Sequence, residues 1–437
     1  MLLQDAKTLE VAEVKPFNVK PIVQVAAGNA LEIYDLMIYG YYARYIAHSF
    51  FPSGNGYVSL MLALMTFAVG FLARPFGAIV LGAYTDRHGR RKGLLLSLTL
   101  MCLGILSLAC TPSYTTIGLA APLIVVAGRL LQGFSAGAEL GGTVVYLAEM
   151  APPNRRAFYM CWQLGSQQFA VMATALIGLV LLYTLTPDQL QIWGWRIPLL
   201  LGCVVMPVMF WLRANLTETE VFARRQTAPT FGEVFGGLTS HWRVILLAMS
   251  TYTFAVVSSQ IIQTYAPTFV ASLHLGAQTG FVTLFFVGLT TLVCLPMMAL
   301  VADRVNRRNM LIVVSLVAAV TAYPLLAWLA AAPSVFRFVT FELWFSFMFA
   351  AYSAALSATI IELVPAQART ASMSFAQAVA AAVFGGFTPA ILTWLNHSFN
   401  NNAMGGAWLA ASAVIGVIAA LVMDKRKIAV AQRVKLQ

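Results

Sequence analysis

An all-α membrane protein, with twelve transmembrane helices in two pseudo-symmetric six-helix bundles, is the fold class predicted by three features of this 437-residue chain. Its composition is 60% hydrophobic and only 10% charged, with a mean hydropathy of +0.79, too apolar for a water-solvated multidomain protein. Apolar runs of the length that crosses a hydrocarbon core, about 20 residues each, recur along the whole chain. The connections between them carry motifs that occur twice, in the same order, once in each half.

The apolar runs place crossings 1 to 6 near 21–47, 57–84, 93–111, 118–148, 157–185 and 196–213, and crossings 7 to 12 near 243–270, 279–302, 309–331, 335–363, 370–395 and 404–423. Alternate connections hold almost all the basic residues: the N-terminus, 85–92, 149–156, 214–242, 303–308, 364–369 and the tail from Asp424. The opposite loops hold nearly none. A net charge of +11 would point to nucleic acid in a soluble protein, but at helix ends it marks the cytoplasmic side, so both termini are expected there and no nucleic-acid partner is expected. The organisation follows: a cytoplasmic segment 1–20, a bundle 21–213, a cytoplasmic loop 214–242, a bundle 243–423 and a cytoplasmic tail 424–437. Residues 1–20 lack an apolar core and do not read as a cleavable signal peptide.

The repeat is explicit in the basic connections. Gly82-x3-Asp86-Arg87-x-Gly89-Arg90-Arg91 after crossing 2 is answered by Ala299-x3-Asp303-Arg304-x-Asn306-Arg307-Arg308 after crossing 8. Glu149-x2-Pro152-x3-Arg156 after crossing 4 is answered by Glu362-x2-Pro365-x3-Arg369 after crossing 10. A duplicated six-helix unit predicts a solute site between the halves near the bilayer midplane, reached alternately from each side as the halves rock.

These motifs carry a resemblance. Over its whole length the chain resembles the major facilitator superfamily, whose most specific signature is matched by the GAYTDRHGRRK loop at 82–92. Asn29-x2-Glu32-x2-Asp35, RLLQGFSAGAELGG at 129–142, WGWRIP at 193–198 and the following LTETEVF resemble its metabolite:proton symporters, and the overall pattern is most similar to citrate and tricarballylate symporters. The resemblance implies a bacterial inner-membrane importer of a tricarboxylate together with a proton, functional as a monomer and not an enzyme. A relative for a dicarboxylate, 2-oxoglutarate or a zwitterionic osmolyte is the alternative, and a drug-exporting antiporter a more distant one. Ala299 and Asn306 stand where the superfamily motif has glycines, so looser packing is expected at the second loop.

Ionisable groups inside a membrane cost on the order of 2.5 to 3.5 kcal/mol at a helix centre and are functional candidates by default. Glu32, Arg74 and Glu139 each lie roughly 15 Å from the cytoplasmic ends of crossings 1, 2 and 4 and can form one network. Glu32 and Asp35 share a helix face, with Tyr39 one turn further. Two acids so close favour one shared proton, as a proton carrier requires, so Glu32, Asp35 and Glu139 are the proton-coupling candidates. Neutralisation of the acids by Arg74, as a helix-to-helix tie, is the rival reading.

Arg129 lies about 16 Å from the outer end of crossing 4, too deep to reach the interface easily. It is the candidate for a substrate carboxylate, with Tyr39 and Gln132 beside it; a permanent salt bridge to Asp35 is the alternative. Gln163 with Gln167 on crossing 5, and Gln260 with Gln263 on crossing 7, are face pairs that suit either a carboxylate or hydroxyl ligand or plain interhelical hydrogen bonding. The stripe Gly133-x3-Gly137-x3-Gly141 lets another helix approach closely. Arg44, Arg196 and Arg337 sit near helix ends and are expected to snorkel, with Arg196 kept as a weak candidate for its WGWRIP setting; Glu342 is seven residues into crossing 10 on an unassigned face.

Gly82, Asp86, Arg87, Gly89, Arg90, Arg91, Glu149, Arg156, Asp303, Arg304, Glu362 and Arg369 form the expected cytoplasmic gate, in which Asp86 pairs with Arg156 or with helix ends when that side is shut. No cofactor and no metal are expected: His48, His88, His241, His274 and His397 lack ligand spacing, and no Gly-x4-Gly-Lys-Ser/Thr loop is present, so the energy source is an ion gradient. Cys102, Cys110, Cys161, Cys203 and Cys294 lie in apolar segments and read as small core residues.

Overall fold

The computed structural model describes residues 33–137, 155–214, 242–363 and 369–423, with residues 30, 147, 151–152 and 236 in addition. Among the described residues eleven helices are long and apolar enough to cross a membrane. They run over Gly56–Thr85, Arg91–Cys110, Ala120–Gly137, Arg156–Thr184, Gly194–Trp211, Trp242–Ser272, Ala277–Arg304, Arg307–Ala331, Val335–Leu363, Met373–Ser398 and Met404–Val422, and they fall on the expected crossings 2 to 12. Crossing 1 is described from residue 33 through a helix that closes as Ala43–Phe50.

Local chemistry explains where these helices start and stop. Asn55 caps crossing 2 by accepting a hydrogen bond from the Tyr57 amide at 2.9 Å, and Asn306 caps crossing 9 by accepting from the amides of Arg308 and Asn309. Asn306 therefore does a capping job that glycine cannot, which is why the second basic loop turns tightly without it. Gly89 closes crossing 2 with φ +98°, a conformation that L side chains resist. At Gly82, by contrast, an added Cβ would meet no described atom within 4 Å.

Crossings 2 and 4 meet backbone to backbone. A Cβ added to Gly133 would fall 1.6 Å from the Gly70 carbonyl oxygen, one on Gly77 1.8 Å from that of Phe134, and one on Gly137 2.0 Å from that of Arg74. The small-residue stripe thus fixes the relative height of the helices that carry Arg74 and Arg129. Contacts between the two halves occur at several levels: Gly40 of crossing 1 lies against Thr264 of crossing 7, Gly178 of crossing 5 against Phe281 of crossing 8, and Gly386 of crossing 11 against Phe71 of crossing 2.

Crossings 7 and 11 are not uniform helices. Each contains a π-helical segment, Gln260–Tyr265 and Ala381–Gly385, and each resumes as an α-helix with a proline in its first turn, Pro267 and Pro389. Proline has no N–H for the carbonyl one turn earlier, and the wider turn absorbs that mismatch. All six residues of the first π segment are buried, so Gln260 and Gln263 both face the interior.

Candidate functional site

A small cavity opens inside the first bundle between crossings 1, 2, 3 and 4, lined by Asp35, Leu36, Gly70, Phe71, Arg74, Met101, Arg129, Gln132, Gly133 and Ala136. Four sequence-selected polar residues converge on it, and all are buried: Asp35, Arg74, Arg129 and Gln132 are 5%, 6%, 3% and 5% exposed. The glycine contact described above brings Arg74 and Arg129 to one wall. Asp35 enters from crossing 1 opposite them.

Arg129 is held by contacts that give it no ion pair among the described residues, although Asp35 lies within electrostatic reach. Its Nη1 donates to Gln132 Oε1 at 2.7 Å, and the guanidinium carbon lies 4.5 Å from the Tyr39 ring centroid and 5.3 Å from that of Phe67. Its Nε, the Gln132 Nε2 and the Asp35 Oδ1 are buried without a hydrogen-bond partner. No ion pair joins Arg129 to Asp35 among the described residues, so the permanent salt bridge is replaced by stacking on two aromatic faces. Arg74 lies over Phe71, 4.2 Å from the centroid. The Tyr39 hydroxyl donates to the Ala63 carbonyl at 3.0 Å, and the residue does not line the cavity itself but supports Arg129 with its ring.

The glutamine pairs belong to a different region. Gln163, Gln167, Gln260 and Gln263 are buried, but none lines the Arg129 cavity. Gln263 Nε2 donates to Gln168 Oε1 at 3.2 Å, a hydrogen bond between crossing 7 of one half and crossing 5 of the other, and Gln260 Oε1 is buried without a partner. Arg196 donates to the carbonyls of Ile192 and Thr111 and lies 4.2 Å from the Trp195 ring, which makes it an anchor of the loop ends. Arg337 likewise donates to the Trp328 carbonyl at 2.7 Å. Glu342 is fully buried in crossing 10 and outside the cavity.

At the basic end, the second loop is the better-defined part of the expected gate. Asp303, at the end of crossing 8, accepts hydrogen bonds from the amides of Ala157 and Phe158 at 3.0 and 3.1 Å, capping crossing 5 of the opposite half. A carboxylate there satisfies amides with no partner in their own helix and meets the positive end of its dipole. Arg307 bridges Asp303 and Glu362, both at 2.6 Å, and Arg308 donates to the carbonyls of Ala420 and Leu421 that end crossing 12. Arg304, expected in this cluster, is exposed instead, because residue 307 rather than 304 falls between crossings 8 and 10 at the start of crossing 9. Of the first loop, Arg87 and Arg91 are exposed and Arg156 is half-buried. Glu32, Glu139 and Glu149, and the side chains of Asp86, Arg90 and Arg369, lie outside the described residues.

The cap predicts a measurable opening. Cys161 is 5% exposed, one turn beyond the capped amides and within electrostatic reach of Asp303. Asp303→Ala is expected to raise the rate of maleimide labelling of Cys161 at least several-fold in a protein whose other cysteines are replaced. An unchanged rate would show that the cap does not hold the halves together at this end.

Comparison with known proteins gives this geometry its context. Residues 25–387 match the Major Facilitator Superfamily. The chain belongs to the major facilitator superfamily. Within the superfamily it is 44% identical to the citrate-proton symporter of Salmonella typhi, across 93% of this chain and 94% of that one. It is 33% identical to the alpha-ketoglutarate permease of Escherichia coli, across 84% of each. The fold is similar to that of the Escherichia coli xylose transporter XylE in a partially occluded inward-open conformation, with a TM-score of 0.74, 18% identity, and coverage of 93% of this chain and 98% of that one. The superfamily's two-bundle fold accounts for the cross-half contacts at crossings 1 and 7, 2 and 11, and 5 and 8.

Four contributors in this superfamily member escaped sequence reasoning. Phe67 and Phe71 carry no mark among the 28 phenylalanines of the chain, although their spacing of seven and three residues from Arg74 places all three along one face of the crossing. Gln168, next to the Gln163 and Gln167 pair, makes a hydrogen bond to the other half, and no spacing in the sequence marks it. Arg307 was quoted in the repeat, but only the packing of three helix ends shows it as the bridge.

Proposed function

We propose that this protein is a proton-coupled importer of citrate, or of a tricarboxylate very like it, in the bacterial inner membrane, and that it is not an enzyme. The observation that carries the reading is Arg129, a buried guanidinium beside Asp35 with no ion pair among the described residues, in a chain 44% identical to a citrate-proton symporter. A guanidinium fork matches a carboxylate in two parallel hydrogen bonds, and the spare Gln132 amide N–H groups extend the donor surface.

In this reading Asp35 carries the proton. As the neutral acid it lets the citrate carboxylate approach Arg129 without repulsion, and as the carboxylate it competes for the same guanidinium once substrate leaves. Glu32 and Glu139 share a network with Arg74. The bundles 21–213 and 243–423 rock about the site, with both termini and the 214–242 loop in the cytoplasm, and a single chain suffices. Gln163, Gln167, Gln260 and Gln263 approach the far side of the ligand as the halves close, and the loops around Asp86 and Asp303 shut the cytoplasmic end.

The test is uptake of radiolabelled citrate, 2-oxoglutarate and glycine betaine by cells expressing the protein, with and without an uncoupler. Citrate is expected to accumulate and the accumulation to collapse with the uncoupler. Preferential 2-oxoglutarate uptake would move the substrate to the dicarboxylate alternative, which the 33% identity to the alpha-ketoglutarate permease favours next. Accumulation indifferent to the uncoupler would overturn proton coupling.

A further inference from the structure

Glu342 has no part in the mechanism above, and its surroundings are unusual for an acid. It is 0% exposed, and among the described residues neither of its carboxyl oxygens has a hydrogen-bond partner or an ion pair. It lies seven residues in from Val335, about 10 Å from the outer end of crossing 10, flanked in the same helix by Phe338, Phe341 and Phe345, each 0% exposed. Facing it from the other half is Tyr41 of crossing 1, close enough for the two groups to act on each other electrostatically. The hydroxyls of Tyr41 and Tyr42 are themselves buried without partners, and both rings lean on Phe281 of crossing 8, with centroids 6.0 and 6.2 Å apart. A carboxyl of the second half and phenols of the first are thus sealed into one dry layer where the outer halves meet.

A bare carboxylate in that layer has no cation beside it among the described residues, and the phenols of Tyr41 and Tyr42 make no hydrogen bond to it, whereas the neutral acid has no charge to compensate. Separating the halves on the outer side would take Tyr41 and Tyr42 away from crossing 10 and let water reach Glu342. We propose that Glu342 is a proton-binding site that couples protonation to closure of the outer mouth: the halves close over it as the neutral acid, and its proton exchanges with the outer phase when they part. On the outer parts of the packed elements the titratable groups among the described residues are the phenols of Tyr41, Tyr42 and Tyr45 on crossing 1, Tyr183 on crossing 5, Tyr265 on crossing 7 and Tyr323 on crossing 9, together with two exposed imidazoles, His48 at the outer end of crossing 1 and His274 just after crossing 7. Arg44 is exposed, and Arg337 is turned to Trp328. The site is separate from the Asp35 cavity, so it tunes when the carrier closes rather than what it holds.

The inference rests on the alternating-access reading but not on citrate, and its test uses no substrate. Val58 and Phe399 are 42% and 59% exposed and flank the stack of Tyr57 on His397, centroids 3.9 Å apart, that joins the two halves at the outer mouth. Spin labels on cysteines at these two positions, in a protein whose native cysteines are replaced, report the outer opening as a distance. In the otherwise unaltered protein the ratio of close to separated populations should fall as pH rises, by up to about tenfold per pH unit for one linked proton. E342Q should remain closed at alkaline pH, and E342D should keep a pH response. Infrared difference spectra of the wild-type protein, which need no variant, should show a buried carboxylic-acid C=O band that grows with the close population, and the band should shift in E342D. A distance indifferent to pH in the wild-type background, the absence of that band, or a wild-type response in E342Q overturns the proposal; the last would assign the response to Asp35 or His397. Failure of citrate uptake would leave the distance result standing, and failure of the distance result would leave citrate symport intact.

Discussion

Arg129→Ala is expected to abolish measurable citrate binding, and Arg129→Lys to weaken it far more than it harms folding. Truncating one member of a buried, hydrogen-bonded charge pair costs about 2 to 5 kcal/mol, or roughly 30-fold to several-thousand-fold in affinity. Lysine keeps the charge but loses the two-pronged geometry, the hydrogen bond now made to Gln132 and the flat stacking on Tyr39 and Phe67. Isothermal titration of the purified variants reads the affinity, and thermal unfolding in the same detergent separates it from stability. The decisive arm is a double-mutant cycle with Asp35→Asn. If neutralising Asp35 restores affinity to the Arg129→Ala protein, the arginine serves the acid and not the substrate.

Asp35→Asn alone is expected to have the second large effect: the loss of accumulation with exchange retained. A membrane potential supplies about 2.3 kcal/mol per elementary charge per 100 mV, close to fiftyfold in concentration for each net positive charge carried inward. A carrier that no longer binds the coupling proton forfeits that factor, and the internal-to-external citrate ratio falls to one or below, because an inside-negative potential opposes entry of the anion alone. Exchange of labelled for unlabelled citrate needs only the loaded carrier to cross and persists, because asparagine fits the Asp35 site without charge. Proteoliposomes with an imposed potential measure both quantities. If Asp35→Asn still accumulates citrate, the proton travels by Glu32, Glu139 or Glu342 instead.

The two variants also probe one physical arrangement. Arg129 and Asp35 share a cavity without sharing a bond, because the aromatic faces of Tyr39 and Phe67 and the side chain of Gln132 hold the guanidinium while the acid keeps an unpartnered oxygen. A fixed ion pair would satisfy both groups and leave little for a ligand to gain. Two unsatisfied groups of opposite sign, by contrast, let substrate and proton each alter the affinity for the other.

The basic end follows a different logic. Asp303 satisfies Arg307 and the first amides of crossing 5 at once, and Arg307 also donates to one oxygen of Glu362, so the cluster joins the two halves through a linked set of short contacts. Such a set stabilises one arrangement of the halves and is lost as a unit when they separate. Asn306 strengthens it by capping crossing 9, which explains why a loop lacking the motif's second glycine still packs closely.

The sequence by itself determined the crossings, the doubled motifs, the positions of the intramembrane charges and the glycine stripe, because each depends on local quantities: runs of apolar residues, spacing in the chain and the cost of a single charge in lipid. Only the tertiary structure decided which groups meet. The rotation of each helix about its axis and its height against its neighbours turn Arg129 onto Tyr39 and Phe67, set Asp303 on the amides of crossing 5 and pair Gln263 with Gln168 rather than Gln167. Those degrees of freedom are fixed by close packing at places such as Gly70 against Gly133, where two backbones touch and a shift of one residue would move every side chain to another face.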